Sequence, residues 1–340
     1  MKKPWLRSVL LDAALVIGPI AVILISLFIG RYPLSIPEVF NALGYKLGLI
    51  HLDIPPTHIN VVWDIRLPRA ILGAMVGASL SVSGASFQGM FRNPLVSSGI
   101  LGVTSGAGFG ASLAIVLFQG QLVYIYLFAF GFGLLAVVLS YLIGSTYKAS
   151  PTIMLVLGGV VVSAIFSSLI SLLKYIADPY DQLPSIVFWL MGSLASARFL
   201  DILISAIPMM IGVTGLISMR WRLNVLSLGD VEARALGVNV LSVKSLAIFF
   251  ATLATAGAVC VGGIIGWVGL VIPHIGRMIV GNNNEILVPV SVSIGACYLV
   301  LVDNLARTLT GSEIPLGILT SLIGGPFFIY LIKKTRGRGW

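Results

Sequence analysis

The chain has 340 residues, 58% of them hydrophobic and 10% charged, with a mean hydropathy of +1.04. Soluble chains carry roughly 25% charged residues, so an ordinary water-soluble enzyme or binding module is excluded. The formal net charge is +9, but the basic residues are scattered between apolar runs rather than gathered on one face, which argues against a nucleic-acid partner.

A helix needs about 20 apolar residues to cross the hydrocarbon core of a bilayer. Runs of that kind occupy 9–30, 70–90, 98–118, 122–145, 151–173, 200–219, 241–262, 264–280, 286–306 and 314–332. They predict an all-α, polytopic integral membrane protein of about ten transmembrane helices, with residues 1–340 forming a single transmembrane domain. The first run leads into Phe28-Ile-Gly-Arg31 without an A-x-A-like cleavage site, so it reads as a retained span. Segment 31–65, with Pro33, Pro37, Pro55 and Pro56, is expected as short helices or coil on one surface. In the second run Gly73 and Gly77 have the small-xxx-small spacing that lets helix backbones approach closely, here within one protomer. Gly106-Ala-Gly108-Phe-Gly110 has no strand before it and no acidic residue about 20 positions on, so it is not a dinucleotide fingerprint.

Segment 174–199 is amphipathic, and its Ile186-Val-Phe-Trp-Leu stretch is too short to span, which predicts a re-entrant or interfacial helix. In segment 220–243, Leu226, Leu228, Val231 and Leu236 are interleaved with Asp230, Glu232 and Arg234, the pattern of a short amphipathic helix outside the membrane. The 264–280 run is interrupted by Pro273, His274 and Arg277. It still counts as a span, because neighbouring helices can satisfy the carbonyl that a proline frees. Placing both termini in the cytoplasm puts fourteen of the 21 Lys and Arg on that side, as the positive-inside rule requires. The protein is thus expected in the cell membrane, surrounded by lipid.

Few residues suggest chemistry. The chain has no G-x-S-x-G, no HExxH and no paired carboxylates within the runs, so no catalytic residue is assigned. His51 and His58 flank Asp53 and the Pro55-Pro56 pair in a spacing that fits a solvated loop better than a metal site, and no metal or cofactor is expected. Cys260 and Cys297 lie in apolar runs without CxxC spacing and read as packing residues. His274 reads as a packing or interfacial residue with a proton relay as the alternative. Asp303 sits four residues before Arg307, a spacing that suggests a local ion pair. A Walker A motif is absent, so the chain does not hydrolyse ATP by the P-loop route. Nor does it carry the intramembrane carboxylate series of an ion-coupled carrier. Any transport would draw its energy from another subunit, and the amphipathic segment 226–240 is where that subunit would press.

Six ordered blocks carry a family resemblance from about residue 60 to 332. They are Ile65-Arg-Leu-Pro-Arg69; Ser83-Gly-Ala-Ser-Phe-Gln88 with Arg92-Asn-Pro-Leu95; Gly99-Ile-Leu-Gly-Val103; Leu228-Gly-Asp-Val-Glu-Ala-Arg-Ala-Leu-Gly237; Gly266-Trp-Val-Gly-Leu-Val-Ile-Pro-His274; and Ile314-Pro-Leu-Gly317 with Gly325-Pro-Phe-Phe328. In these the chain resembles permeases of the iron–siderophore, haem and cobalamin class of ABC importers. The resemblance implies a homodimer, a separate ATP-binding-cassette ATPase and an extracytoplasmic substrate-binding protein. It implies an iron(III)-siderophore type chelate as cargo, with cobalamin, haem or molybdate as alternatives. The rival class is an ion-coupled secondary carrier working alone, which intramembrane carboxylates and inverted repeats would favour, and the chain shows neither. Arg66, Arg69 and Arg307 correspond to positions that receive acidic residues of the binding protein, and exposed guanidinium groups on the outer side would suit that role; snorkelling at helix ends is the competing reading. Leu228, Gly229, Asp230, Ala233, Leu236 and Gly237 correspond to the ATPase-coupling helices, with Asp230 where the family often has Glu. Ser150 and Thr152 fall at the family's cytoplasmic gate, where Pro151 departs from its pattern.

Overall fold

The computed structural model describes residues 4–51, 54–145 and 151–335, and they are helical apart from short connections. In chain order the helices are α1 (Pro4–Ser26), α2 (Ile36–Lys46), α3 (Pro56–Ile59), a π-helical turn (Asn60–Arg66), α4 (Leu67–Phe91), α5 (Val103–Phe118), α6 (Leu122–Ser145), α7 (Pro151–Ile176) and α8 (Gln182–Met191). They continue as α9 (Phe199–Ser218), α10 (Arg220–Leu226), α11 (Asp230–Ala235), α12 (Val240–Gly262), α13 (Val268–Val280), α14 (Asn284–Thr308) and α15 (Leu316–Thr335). Among the described residues, six helical stretches are long and apolar enough to cross a membrane: Pro56–Phe91, Leu122–Ser145, Ile153–Ile176, Phe199–Ser218, Val240–Gly262 and Asn284–Thr308. The other four expected spans contain shorter apolar helices, Ala13–Ser26, Val103–Phe118, Val268–Val280 and Leu316–Leu331.

Helix α4 is the hub. It packs on α14, α12, α13, α9 and α1, and all but Ile71 and Met75 of its residues 68–90 are buried. Its sequence explains this, because Gly, Ala and Ser occupy most positions between residues 70 and 89. Small side chains let neighbouring backbones approach, which is what drives helix association where lipid is as apolar as the helix surface. A Cβ added to Gly77 would stand 2.1 Å from the Gly295 carbonyl oxygen of α14, and one added to Gly84 would stand 2.0 Å from the Gly269 carbonyl oxygen of α13. The Gly73-xxx-Gly77 pair therefore works inside the protomer. Ser81 adds a polar tie, donating its Oγ–H to the Ser291 carbonyl at 2.7 Å. The peripheral helices α6, α7 and α9 show the opposite pattern: Leu127, Val138, Leu157, Ile165, Leu203 and Ile207 project outward, as a lipid-facing surface requires.

Two expectations need correction. Segment 31–65 is not surface structure throughout: from Pro56 onward the chain is helical without a break into α4, giving the 36-residue stretch Pro56–Phe91. Proline suits a first helical position, where its missing N–H would be unpaired anyway. The π turn lets the chain pass Pro68, which has no N–H to give, without losing the helix. The 264–280 run is helical only from Val268, because residues 263–266 run non-helically and Trp267 takes a left-handed φ of 68°. The short helix expected around Ile186 is present as α8, with Ile186 fully buried and Gln182 Nε2 donating to the Val116 carbonyl.

The α4 packing predicts a sharp contrast between glycines. Gly84→Val should lose the monodisperse peak of the detergent-solubilised protein in size-exclusion chromatography, because a backbone carbonyl cannot yield as a side chain can. Gly325→Ala, where an added Cβ meets nothing within 4 Å, should leave the peak and the melting temperature unchanged.

Candidate functional site

Two clusters stand at opposite ends of the helices. At the end formed by α2, α3, α8 and the start of α15, the arginines expected on the surface are buried: Arg66, Arg69 and Arg307 are 2%, 4% and 5% exposed. The expectation of exposed guanidiniums is therefore corrected. Arg69 is clamped by Asp303 of α14, with Nε 2.8 Å from Oδ2 and Nη2 2.8 Å from Oδ1, and its Nη1 lies 2.9 Å from Glu313 Oε1. Arg66 donates to the Leu27 carbonyl at 2.7 Å and to the Tyr32 carbonyl at 2.5 Å. Arg307 donates from Nη2 to the Ser26 carbonyl and Oγ, both at 2.8 Å, and to Asn304 Oδ1. Arg31 Nε completes the set on the Arg307 carbonyl at 2.8 Å.

The anticipated Asp303–Arg307 pair is also corrected. Asp303 faces α4, where close packing brings Arg69 to it, while Arg307 turns toward the end of α1. Periodicity within one helix could not reveal a partner 234 residues away. Glu313 and Asn304 were missed altogether; the only signal for Glu313 is its place directly before the Ile314-Pro-Leu-Gly317 block. Nearby, Asp201 of α9 is 1% exposed and accepts from the Arg198 backbone N–H at 2.8 Å and from Tyr126 Oη at 3.1 Å. Its hydrogen bond raises the pKa of the Arg198 guanidinium above the ordinary arginine value. On the exposed lip, Glu38 accepts from the Ser35 Oγ and backbone N–H, and these bonds hold its carboxyl below the usual range. His58 stands 3.9 Å from Glu38, and among the described residues no group of His, Cys, Asp or Glu could hold a metal ion.

At the other end, the segment expected as one amphipathic helix is two short ones. Gly229, with φ of 139°, turns the chain between α10 and α11. Helix α11 closes with a Schellman motif: the Val238 N–H donates to the Ala233 carbonyl and the Gly237 N–H to the Arg234 carbonyl, with Gly237 at φ 79°. Ala233, fully buried, and the Asp230–Lys244 pair at 2.7 Å fasten α11 to α12. The residues left facing outward are apolar: Leu228, Val231 and Leu236 are 60%, 72% and 60% exposed. Beside them Arg234 and residues 237–241 line an open groove of about 410 Å³. An apolar ridge on a segment otherwise rich in charge suits a protein partner better than solvent. Thr152 lies in the first turn of α7, while Ser150 falls outside the described residues. His274 is buried on α13, its ring edge-on to Phe327 at 6.4 Å between centroids, the packing position anticipated for it.

Residues 17–334 match the FecCD transport family model. The chain belongs to the FecCD transport family. The molybdate import system permease protein MolB of Haemophilus influenzae is 44% identical over 93% of each chain. A probable iron chelatin transport system permease protein of Helicobacter pylori is 39% identical over 92% of this chain and 94% of its own. A solved structure described as a metal-chelate type ABC transporter in an inward-facing conformation superposes with a TM-score of 0.84 at 42% identity, covering 96% of this chain and 99% of that one. Further relatives are named for cobalamin and hemin transport. The chain is thus an ABC importer permease, a multi-pass membrane protein of a family whose members translocate and do not catalyse.

The buried network around Arg69 predicts unequal costs. Asp303→Asn leaves Arg69 short of a buried counter-charge and should destabilise the protein by about 3 kcal/mol or more. Arg198→Gln, whose side chain is 55% exposed, should cost less than about 1 kcal/mol. Thermal unfolding of the two variants in detergent distinguishes them.

Proposed function

We propose that this permease imports a metal chelate of the iron(III)-siderophore type through ten spans per chain, with residues 1–340 as one transmembrane domain and both termini in the cytoplasm. Two copies form the path between them. A separate ATPase supplies the energy, and an extracytoplasmic binding protein delivers cargo. The observation that carries the energy assignment is the apolar ridge of Leu228, Val231 and Leu236, presented outward on a well-fastened segment by a chain that has no P-loop. In this reading Leu228, Gly229, Asp230, Ala233, Leu236 and Gly237 form the coupling element. The exposed leucines seat in the ATPase, the two glycines shape the turns, and Ala233 and Asp230 transmit force to α12.

At the outer end we propose that the binding protein docks over Arg66, Arg69 and Arg307. Their burial makes them the foundation of that surface, holding α1, α4, α14 and the Glu313 loop in register. Ser150 and Thr152 are proposed at the cytoplasmic gate. Molybdate is the second cargo reading, favoured by the 44% identity to a molybdate permease.

Replacing Leu228 and Leu236 with Asp tests the coupling element. The double variant should fold normally, since both side chains are exposed, yet fail to co-purify with the ATPase or lose ATP-driven uptake by at least about tenfold. Full uptake would remove the assignment. Uptake of iron(III) chelate against molybdate, each with its cognate binding protein, separates the two cargoes.

A further inference from the structure

Behind the coupling segment lies a cavity of about 400 Å³ that the transport reading does not use. Gln88 and Arg92 from the end of α4, Ser227 from the α10–α11 turn, His274 and Arg277 of α13, and Asn284 at the start of α14 contribute to its wall. No carboxylate lines it, and among the described residues neither Arg92 nor Arg277 enters an ion pair. The lining itself is therefore cationic and polar, with Arg92 and Arg277 beside hydroxyl and amide groups, and the nearest carboxylate to Arg92 along the coupling turn, Glu232, packs against Gly229 outside the lining.

The arrangement is built rather than incidental. Gln88, 2% exposed, donates through Nε2 to the Val96 and Gly269 carbonyls, each at 3.2 Å, which turns its Oε1 toward Arg277 Nη1 at 2.5 Å. A neutral acceptor thus orients the guanidinium without cancelling its charge. His274 lies three residues before Arg277, on the same face of α13. Across the cavity Arg92 caps α4 in the left-handed conformation at φ 51°, an uncommon geometry for a side-chain-bearing residue. Its Nη1 lies 3.4 Å from where a Cβ on Gly229 would stand, directly against the coupling turn. A water occupies about 30 Å³, so the space holds a tetrahedral oxyanion and several waters. Guanidinium pairs are the preferred partners of such groups.

We propose that this cavity binds a phosphate-class oxyanion, with Arg92 and Arg277 as the charged contacts and Gln88 as the residue that positions Arg277. A free anion and the headgroup of an anionic phospholipid share this chemistry. The proposal does not rest on the importer reading, because its test needs neither cargo nor ATPase.

Equilibrium dialysis of the delipidated permease in detergent with radiolabelled inorganic phosphate is the direct measurement. Saturable binding at roughly millimolar or tighter is expected. Arg92→Gln and Arg277→Gln should each weaken it about tenfold, and Lys46→Gln, at the opposite end, should not. Arg92 is exposed, so the Arg92→Gln protein should fold even if the Arg277 variant does not. Displacement of phosphate by a short-chain phosphatidylglycerol, with lipid retained in native mass spectrometry by the wild type but not by Arg92→Gln, would identify the headgroup as the source. Phosphate binding that the lipid does not displace would identify the free anion. Absence of saturable binding by either ligand, or equal binding by the Arg92→Gln protein, would overturn the proposal.

Discussion

Everything in this molecule depends on how closely backbones approach α4. The helix is surrounded by α1, α9, α12, α13 and α14, and at Gly77 and Gly84 there is no room even for a methyl group between it and neighbouring carbonyls. In a bilayer the hydrophobic effect does not draw helices together, so dispersion contacts at short range and a few interhelical hydrogen bonds must do so. A helix of small residues maximises those contacts on every face. The larger apolar residues are displaced to the peripheral helices, where they meet lipid.

The same packing sets the two ends. Because α4 and α14 run so close, Arg69 reaches Asp303 and Glu313, and the α14–α15 connection is tied to α4 by charge. At the opposite end the close passage of α4 against α13 and α14 places Gln88, Arg92, Arg277 and Asn284 around one cavity. The α10–α11 turn borders that cavity through Ser227, and α11 is fastened to α12 through Ala233 and the Asp230–Lys244 pair. In the proposed coupling role, that fastening would pass a push on Leu228 or Leu236 to α12.

Much of this was legible in the sequence. Apolar length located the six long spans, the glycine spacing indicated the tight face of α4, and the Leu–charge alternation after Arg220 marked the segment that presents the exposed apolar ridge. The π turn was not legible, because Pro55-Pro56, Asn60 and Asp64 look like surface coil until the proline is recognised as a helix start. Nor was the burial of Arg66, Arg69 and Arg307. Arginine at a helix end suggests exposure when its partners are unknown, and here they are the backbone carbonyls of residues 26, 27 and 32 and two carboxylates more than 200 positions away. Such long-range pairings are set by helix register in three dimensions, which a one-dimensional pattern does not encode.

The central claim is that this chain provides a path and no energy of its own. Reconstitution of the permease with its ATPase and binding protein in proteoliposomes tests it most directly, with cargo uptake followed as ATP and ion gradients are varied separately. The account predicts accumulation that requires ATP hydrolysis, stops on omission of the ATPase, and is indifferent to proton or sodium gradients. Accumulation by the permease alone, driven by an imposed gradient, would contradict it.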